Sequence, residues 1–395
     1  MAAALGVLAS CGSVKSGEDA IAASRDSKVV VAYVTSWSEV MPDPQYMTHI
    51  NYAFGHVNES FNGVKIDNEE RLRQIVDLRK QKPELKVLLS IGGWGSGRFS
   101  EMAANDEYRR AFAADCDRVV KEFALDGIDI DWEYPTSSMA NISSSPDDTE
   151  NFTLLMQDIR AAIGNEKELT LATVASARYI DFKAILPSVD FVNIMAYDMA
   201  SAPKHHSALY PSGHSGDITS DGAVTAHLKA GVPPSKLVMG MPFYGRGGDG
   251  YPSFQDYNKV GNTDTQYTEK WDEVAQVPYL ADKNDTLVFG FENPRSLAIK
   301  CQYILDKDLL GGMYWDYSGD NEQGDLRRTV AENLLGKPHK AKVLVLTERG
   351  GQHGGFTDAG LKWLAAEGAK GNFSITEINN ARNITEAYLS QFSLV

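Results

Sequence analysis

Asp129, Asp131 and Glu133 occupy alternate positions of one short segment and are the residues of this chain best suited to acid–base chemistry. The segment is rich in β-formers, and successive side chains of a strand point to opposite faces, so the three carboxyl groups share one face. Neighbours on that face lie about 6.5–7 Å apart, from a rise of about 3.3 Å per residue. Carboxylates this close cannot all ionise cheaply in a low-dielectric site. At least one should therefore hold a proton near neutral pH, as an acid catalyst requires.

A solvated edge strand or a cation site with an acidic face would explain the same pattern. Calcium loops, however, place turn residues between their oxygen ligands, whereas residues 126–135 are rich in β-formers. The eight histidines form no HExxH motif and the cysteines form no CxxC motif. We therefore favour a catalytic strand over both alternatives, and we expect no metal ion and no cofactor.

The elements that would position these acids follow from the hydrophobic pattern. From residue 28 onward, segments rich in β-branched residues alternate with amphipathic ones, which predicts a parallel sheet with crossover helices. Eight such segments predict an α/β fold of the (β/α)8 TIM barrel type, whose chemistry gathers at the carboxyl ends of the strands. The predicted strands are 29–34, 50–54, 86–91, 127–132, 170–174, 191–195, 237–240 and 312–314. Candidate site residues follow four of them: Glu133 the fourth, Tyr197 and Asp198 the sixth, Tyr244 and Arg246 the seventh, and Trp315 the eighth.

Residues 126–133 match the DxxDxDxE signature of glycoside hydrolase family 18. Its four acidic positions are Asp126, Asp129, Asp131 and Glu133. Segment 90–94 resembles the family's SxGG element, in which Gly92 and Gly93 are expected to be structural. Further segments resemble strand-end motifs in the family's order: 49–54, 195–198, 240–246 and 311–316. The resemblance covers about residues 28–336 and implies a chitinase-like hydrolase on a TIM barrel.

The resemblance also implies a mechanism in which the 2-acetamido carbonyl of the substrate replaces an enzyme nucleophile. Glu133 would act as general acid and later as base, and Asp131 would accept a hydrogen bond from the acetamido N–H. Asp129 would share a proton with Asp131 as a coupled pair. Tyr197 would donate a hydrogen bond to the acetamido oxygen, and Asp126 would support the strand and its turn.

The same motifs imply a set of substrate-binding side chains. Trp315 would form the apolar floor under the sugar at the cleavage point, because the C–H face of a pyranose stacks well on an aromatic ring. Core packing is the alternative for each aromatic residue; it is favoured for Phe54 and stands about equal for Trp94. The candidates are Trp315, Tyr244, Arg246, Asp198, Met195, Tyr33, Phe54 and Trp94.

The resemblance implies retaining hydrolysis of β-1,4 N-acetylglucosamine links in chitin or chito-oligosaccharides, and we expect the enzyme to be a monomer. Segment 315–320 and the pair Tyr244 and Arg246 resemble chitinases more than the endo-β-N-acetylglucosaminidases of the family, which release N-glycans and are the alternative enzyme. A non-hydrolytic chitin-binding lectin is a further alternative. Such proteins usually replace the acid at the Glu133 position, which is intact here.

The net charge of −15 and a pI near 5.0 disfavour nucleic acid as a partner, since nucleic-acid binding needs a basic surface. Residues 2–12 form an apolar run that is too short to span a bilayer and contains Cys11. Segment 8–11 resembles the lipobox of a bacterial lipoprotein, although no Lys or Arg precedes the run; a chance Ala-rich terminus is the alternative. The resemblance implies export and a lipid on Cys11 as the means of attachment to the cell envelope, at the outer membrane or the surface. Residues 1–27 would be the signal remnant and a tether.

Beyond the tether we expect two parts. Residues 28–337 would form the barrel, with residues 247–290 as a short insertion after strand seven. Residues 341–395 would form an incomplete βαβα segment, which resembles the start of the trehalose-utilisation, glutamine-amidotransferase-like fold. Two strands bury too little surface for a stable doubly wound sheet, so the chain is predicted to be a fragment of a longer protein. His353 is expected to be a loop residue of that segment rather than a ligand or a base.

Two smaller expectations concern the barrel. Residues 199–222, rich in Ser, Gly, His and Pro, would form an exposed loop over the site, with His205 and His206 in solvent. Cys116 and Cys301 lie in helix-like segments and are expected to be buried small hydrophobes. A disulfide between them is left open.

Overall fold

The computed structural model describes residues 28–248, 251–260, 266–336, 341–347, 354–369, 373–379 and 389. The chain divides into two compact units, Met1–Gly336 and Lys337–Val395. The predicted lipid-bearing Cys11 and the loop residue His353 both lie outside the described residues. Within the described part, no helix has the length and apolar character needed to cross a membrane.

The first unit contains a closed barrel of parallel strands. The described strands of this unit, inside and outside the barrel, are β1 Val29–Thr35, β2 His49–Val57, β3 Val64–Ile66, β4 Lys86–Gly92, β5 Gly127–Asp131, β6 Glu168–Val174, β7 Phe191–Met195, β8 Leu237–Pro242, β9 Tyr244–Gly247, β10 Gln255–Asp256, β11 Thr268–Asp272, β12 Val277–Ala281, β13 Leu287–Gly290 and β14 Gly311–Trp315. The sheet runs in the order β1, β14, β8, β7, β6, β5, β4, β2, and β1 also pairs with β2, which closes it. The short β3 adds antiparallel to β2 outside the barrel. The prediction of a (β/α)8 TIM barrel is confirmed.

Helices pack against the barrel strands in the hydrophobic core, and the sequence marks where they begin. Those described in the first unit are α1 Glu69–Val76, α2 Phe99–Ala104, α3 Asp106–Glu122, α4 Asp148–Ile163, α5 Phe182–Ile185, α6 Ser220–Lys229, α7 Pro294–Asp306 and α8 Asp325–Leu335. Before α3, the Asn105 side chain accepts hydrogen bonds from the N–H groups of Glu107 and Tyr108. Before α7, Asn293 and Ser296 form a reciprocal capping box.

Strand β5 carries apolar and acidic residues on opposite faces. Ile130 is buried in the main core, and Trp132, just after the strand, stacks on Phe99 of α2 with ring centroids 5.3 Å apart. Asp129 and Asp131 are also buried, at 0% and 4% exposure, on the opposite face, because side chains alternate along a strand. The strand therefore turns its acids towards the barrel interior while its apolar residues hold it to the helices.

The insertion between β8 and β14 is a separate antiparallel sheet. Its strands lie in the order β10, β9, β13, β12, β11, around a small core of Leu280, Phe289 and Phe291. This confirms the predicted short insertion after strand seven of the barrel. Because β9 follows β8 after a single residue, the sheet also fixes Tyr244 and Arg246, which lie on β9.

The two cysteines predicted to be small hydrophobes are buried free thiols. Cys116 lies on α3 and Cys301 on α7, and both are fully buried. Burial raises the pKa of each thiol. The prediction for them is confirmed, and no disulfide joins them.

The second unit contains β15 (Ala341–Leu346), α9 (Gly354–Ala369) and β16 (Phe373–Ile378). The two strands are parallel, with Ala341 opposite Phe373. These elements agree with the strand, helix and strand expected there. The second helix of the predicted βαβα segment falls after residue 379, where the structure describes only residue 389, and the amidotransferase-like assignment stays a prediction.

Candidate active site

An open groove with a cavity of about 690 Å³ contains the carboxyl-terminal residues of several barrel strands. This is the end of a TIM barrel at which chemistry is found. Most of the predicted residues line it: Tyr33, Phe54, Trp94, Asp131, Glu133, Met195, Tyr197, Asp198, Tyr244, Arg246 and Trp315. The lining does not include Asp126, Asp129, Gly92 and Gly93, which contact the strands that carry the groove.

Asp129 is fully buried and is held by hydrogen bonds from neighbouring strands. Thr170 Oγ1 and Asn193 Nδ2 donate to Oδ1 at 2.6 and 3.3 Å. Tyr33 Oη and Ser90 Oγ each donate to Oδ2 at 2.8 Å. Burial raises the pKa of Asp129, and these hydrogen bonds oppose the rise. Since the donors come from β1, β4, β6 and β7, the carboxyl group ties the strands together beneath the groove.

Asp131 and Glu133, which do line the groove, both have a raised pKa. Burial, with the charges of Glu133 and Asp129, raises the pKa of Asp131 well above its ordinary range. Burial also raises the pKa of Glu133 to about 7, with Tyr134 opposing the rise and the charge of Asp198 adding to it. A carboxyl group with that pKa can both give and take a proton near neutral pH. The proton expected to be shared between Asp129 and Asp131 stays a prediction.

Two glycines allow the backbone of β4 to approach the acidic strand. Gly92 has φ of +132°, and a Cβ at this position would lie 1.9 Å from the carbonyl oxygen of Asp131. Gly93, with φ of +91°, donates its N–H to the same oxygen at 2.9 Å, and its Cβ would lie 2.7 Å from the ring of Phe54. A side chain at either position would displace the strand or the ring, which agrees with the structural role expected for both residues.

Asp126 lies immediately before β5, at the end of the strand away from the groove. Its Oδ2 accepts hydrogen bonds from Arg79 Nη2 at 2.5 Å and from the N–H of Val87 at 2.8 Å. It therefore joins the starts of β4 and β5 to the turn that follows α1. These contacts agree with the supporting role expected for it.

Aromatic rings form the apolar part of the groove. Trp315 stacks on Phe54, with ring centroids 5.5 Å apart and planes 20° apart, and Tyr33 lies 5.6 Å from Trp315. Phe54 is only 8% exposed but lines the groove, so it belongs to both the core and the site. Trp94 and Trp37 are large exposed residues of the lining, at 62% and 64% exposure.

The polar part of the groove is organised by an ion pair. Arg246 binds Asp198 through both oxygens, with Nε donating to Oδ1 at 2.7 Å and Nη2 to Oδ2 at 2.6 Å. Burial alone would raise the pKa of Asp198, but the hydrogen bonds from Arg246 and the nearby imidazole of His206 hold that pKa well below its usual range. The rings of Tyr197 and Tyr244 lie 6.1 Å apart, and burial raises the pKa of both phenols. Both tyrosines therefore keep an O–H that can donate to a ligand.

The prediction that His205 and His206 lie in solvent is wrong. They are 2% and 0% exposed. His205 Nε2 lies 3.2 Å from Asp272 of the insertion sheet, and the ring of His206 lies 5.4 Å from that of Tyr244. Partners distant along the chain provide the polar contacts that make burial possible, and the local composition carries no sign of them.

Sequence analysis missed several lining residues that lie outside the recognised motifs. They are Trp37, Tyr134, Arg178 and Phe254, among others. Trp37 follows the first barrel strand, and this position alone could have indicated it. In the described part of the chain, no cluster of His, Cys, Asp and Glu is arranged to hold a metal ion.

A TIM barrel with a carboxyl group of raised pKa after its fourth strand, in a groove lined by aromatic rings, is typical of a glycoside hydrolase. The chain belongs to glycosyl hydrolases family 18, whose model matches residues 29–320. It is 30% identical to chitinase A1 of Niallia circulans over 413 residues, which cover 78% of this chain and 58% of that protein. It is 31% identical to chitotriosidase-1 of Mus musculus over 350 residues, 75% of this chain and 74% of that protein. This chain thus spans less than two thirds of the length of chitinase A1.

A solved structure gives the same family. The family 18 N-acetylglucosaminidase from Paenibacillus barengoltzii superposes with a TM-score of 0.72 and 32% identity, covering 78% of this chain and 99% of that one. The group IV chitinase of Ostrinia furnacalis gives a TM-score of 0.71 and 28% identity, covering 78% and 100%. Both similarities therefore extend over most of this chain.

Proposed function

We propose that this protein hydrolyses β-1,4 links between N-acetylglucosamine units of chitin or chito-oligosaccharides, with retention and with assistance from the substrate. The observation that carries the proposal is the environment of Glu133: a half-buried carboxyl group in an open groove, with a pKa raised to about 7. Its neighbour Asp131 is 4% exposed, and its Oδ1 has no hydrogen-bond partner among the described residues. A carboxyl group buried in this way is better suited to receive an N–H than to attack a sugar, which favours the substrate's own acetamide as nucleophile.

In the first step, Glu133 donates its proton to the glycosidic oxygen while the acetamido carbonyl oxygen attacks the anomeric carbon. The glycosidic bond breaks, the leaving sugar departs with the proton, and a cyclic oxazolinium forms. Asp131 accepts a hydrogen bond from the acetamido N–H and stabilises the positive charge. Tyr197 donates its O–H to the acetamido oxygen and so holds the nucleophile in place. In the second step, Glu133 takes a proton from a water molecule. The water oxygen attacks the anomeric carbon, and the oxazolinium ring opens.

The remaining lining residues bind and orient the sugars. Trp315 offers an apolar face to the sugar at the cleavage point, and its packing on Phe54 and Tyr33 keeps that face fixed. Asp198 and Arg246 present a bidentate ion pair to sugar hydroxyls. The names of the relatives support chitin as the substrate, and the intact Glu133 supports a hydrolase over a lectin.

The function is tested by giving the purified protein chitotetraose and an N-linked high-mannose glycopeptide side by side. We expect cleavage of chitotetraose and no release of the glycan. Glycan release would instead identify the endo-β-N-acetylglucosaminidase alternative, and binding without cleavage of either substrate would identify a lectin. A thiazoline analogue of the oxazolinium should inhibit competitively, and indifference to it would count against substrate assistance.

The pKa of Glu133 predicts the alkaline side of the activity profile. The acid must carry its proton to protonate the glycosidic oxygen, and it loses that proton as pH rises through about 7. We therefore expect kcat/KM on chitotetraose to fall through this range, in a pH profile measured at constant ionic strength. Activity that stays level well above pH 7 would exclude Glu133 as the group whose proton is transferred.

We also propose, from the resemblance of segment 8–11 to a lipobox, that the protein is exported and held at a bacterial cell envelope by a lipid on Cys11. Incorporation of a labelled fatty acid into the wild type but not into Cys11→Ser would test this. The amidotransferase-like assignment of residues 341–395 is likewise a proposal from sequence. An experimental structure of this protein would test it, and a second unit that does not match that fold would refute it.

A further inference from the structure

Three consecutive side chains of the loop 199–222 are buried inside the protein. His205 and Ser207 flank His206, and the three are 2%, 1% and 0% exposed in that order. A loop with three successive side chains inside the protein is an unusual use of polar residues, because each must find a partner away from water. The partners lie in three different places: the insertion sheet, the groove and helix α7.

The central residue, His206, faces the groove. Its Nδ1 lies 3.5 Å from Oδ1 of Asp198, and its ring lies 5.4 Å from that of Tyr244. Neither ring nitrogen has a partner at hydrogen-bond geometry among the described residues. A fully buried imidazole without a close bond is costly unless it acts on a nearby charge. Hydrogen bonds of a working site are also often long before the substrate binds and shorten when it does.

Asp198 needs a second contact because its partner Arg246 lies at the surface. The side chains of Asp198 and Arg246 are 40% and 33% exposed, and exposed ion pairs hold their geometry weakly. Asp198 also has a left-handed backbone, with φ of +54°, a region in which aspartate is several-fold enriched among non-glycine residues. His206, fully buried, offers Asp198 a rigid neighbour.

The residues on either side fasten His206 in place. His205 Nε2 and Ser212 Oγ lie 3.2 and 2.8 Å from Oδ2 of Asp272, in strand β11 of the insertion sheet. Ser207 Oγ donates to Oε1 of Glu292 at 2.6 Å.

On the other side, Lys300 of α7 donates to the carbonyl oxygen of Ser207 at 2.5 Å and pairs with Glu292. The imidazole of His206 is therefore held from both sides by elements outside the barrel strands.

We propose that His206 is a positioning residue, which fixes the carboxylate of Asp198 for the sugar at the cleavage point and links it to the insertion sheet. The proposal rests on the proposed function and adds a residue that acts through another. The charged and titratable groups around the imidazole are Asp198, Tyr244 and, across the ion pair, Arg246. The charge of Asp198 contributes to the raised pKa of Glu133. A displaced Asp198 should therefore change both sugar binding and the protonation of the acid.

Two substitutions separate the polar contact from packing. His206→Leu removes both ring nitrogens, whereas His206→Asn keeps a side-chain N–H that can take the place of Nδ1. We expect His206→Leu to lower kcat/KM for chitotetraose by about 10- to 100-fold, as small misplacements at a reacting centre do. With Glu133 intact, His206→Leu should also move the alkaline limb of the pH profile to lower pH. In the Glu133→Gln background it should weaken the binding of chitotetraose. His206→Asn should recover most of each loss.

The matched control is His227, a second fully buried histidine, on α6. Its Nδ1 contacts the carbonyl oxygen of Ala223 at 2.8 Å, and its ring packs on Phe182. His227→Leu should lower Tm and leave kcat/KM and the pH limb unchanged. If His206→Leu behaves in the same way, the proposal is wrong.

The proposal and the proposed function fail separately. If the wild type does not cleave chitotetraose, the function fails, and titration of chitotetraose into the Glu133→Gln protein with and without His206→Leu still decides the role of His206. Equal Kd values in that titration overturn it. If His206→Leu does not fold, His206→Phe replaces it, since this side chain keeps the ring against Tyr244 without the nitrogens.

Discussion

Replacing Glu133 by glutamine should lower kcat on chitotetraose by about 100- to 10,000-fold, the contribution of a positioned general acid. Glutamine keeps the size and much of the hydrogen bonding of the acid but has no proton to give to the leaving oxygen. Binding should survive, because Trp315, Asp198 and Arg246 are untouched. Single-turnover rates and calorimetric binding of chitotetraose measure the two effects separately, and turnover near the wild-type rate would rule out the acid assignment.

The same substitution has an effect on stability whose sign follows from the pKa. The folded protein holds the Glu133 proton up to about pH 7, whereas the unfolded chain releases it near 4.5. The protonated carboxyl group therefore contributes stability that is present below about 4.5 and is lost as pH rises to about 7. The glutamine side chain does not titrate. The free energy of unfolding of Glu133→Gln should therefore increase relative to that of the wild type as the pH rises over this range.

The acidic strand could be predicted because two independent patterns meet in it. The alternation of Ile130 with Asp129 and Asp131 allows only one assignment of faces, and the strand's place in the series puts Glu133 at the end where barrels carry their sites. The barrel itself follows from the eight β-branched segments that alternate with amphipathic ones. This pattern does not depend on which apolar residue fills each core position. For these reasons the fold, the insertion and most of the groove lining could be read from local patterns.

The contacts that hold the residues on either side of His206 could not be predicted, because they join residues far apart in the sequence. Ser207 and Glu292 are 85 positions apart, and Lys300 lies 93 positions beyond Ser207. The segment 199–222 has the polar composition of a surface loop, and nothing within it indicates that Asp272, Glu292 and Lys300 will cover it. Trp37 was missed for a different reason, since a single tryptophan in a loop forms no periodic pattern.

The ion pair that holds this loop gives the largest expected effect on stability. Lys300 and Glu292 are both fully buried. Lys300 lies on α7, and Glu292 lies just before that helix. Lys300→Met keeps the length and the apolar stem of the side chain but leaves the Glu292 carboxylate without its cation inside the protein. We expect the free energy of unfolding of the barrel unit to fall by about 3–5 kcal/mol, the cost of breaking a buried pair from one side. Urea denaturation followed by tryptophan fluorescence measures it.

The double variant Lys300→Met/Glu292→Leu decides whether the cost comes from the stranded charge. With both charges gone, no buried carboxylate lacks its cation, so most of the lost stability should return; a double variant as unstable as Lys300→Met would mean that the loss comes from packing instead. Ser207 would still lose its two polar contacts in the double variant. If these contacts hold His206 against Asp198, the double variant should recover stability without recovering kcat/KM on chitotetraose. That separation would tie the pair to the groove through the loop, since neither Lys300 nor Glu292 lines the groove itself.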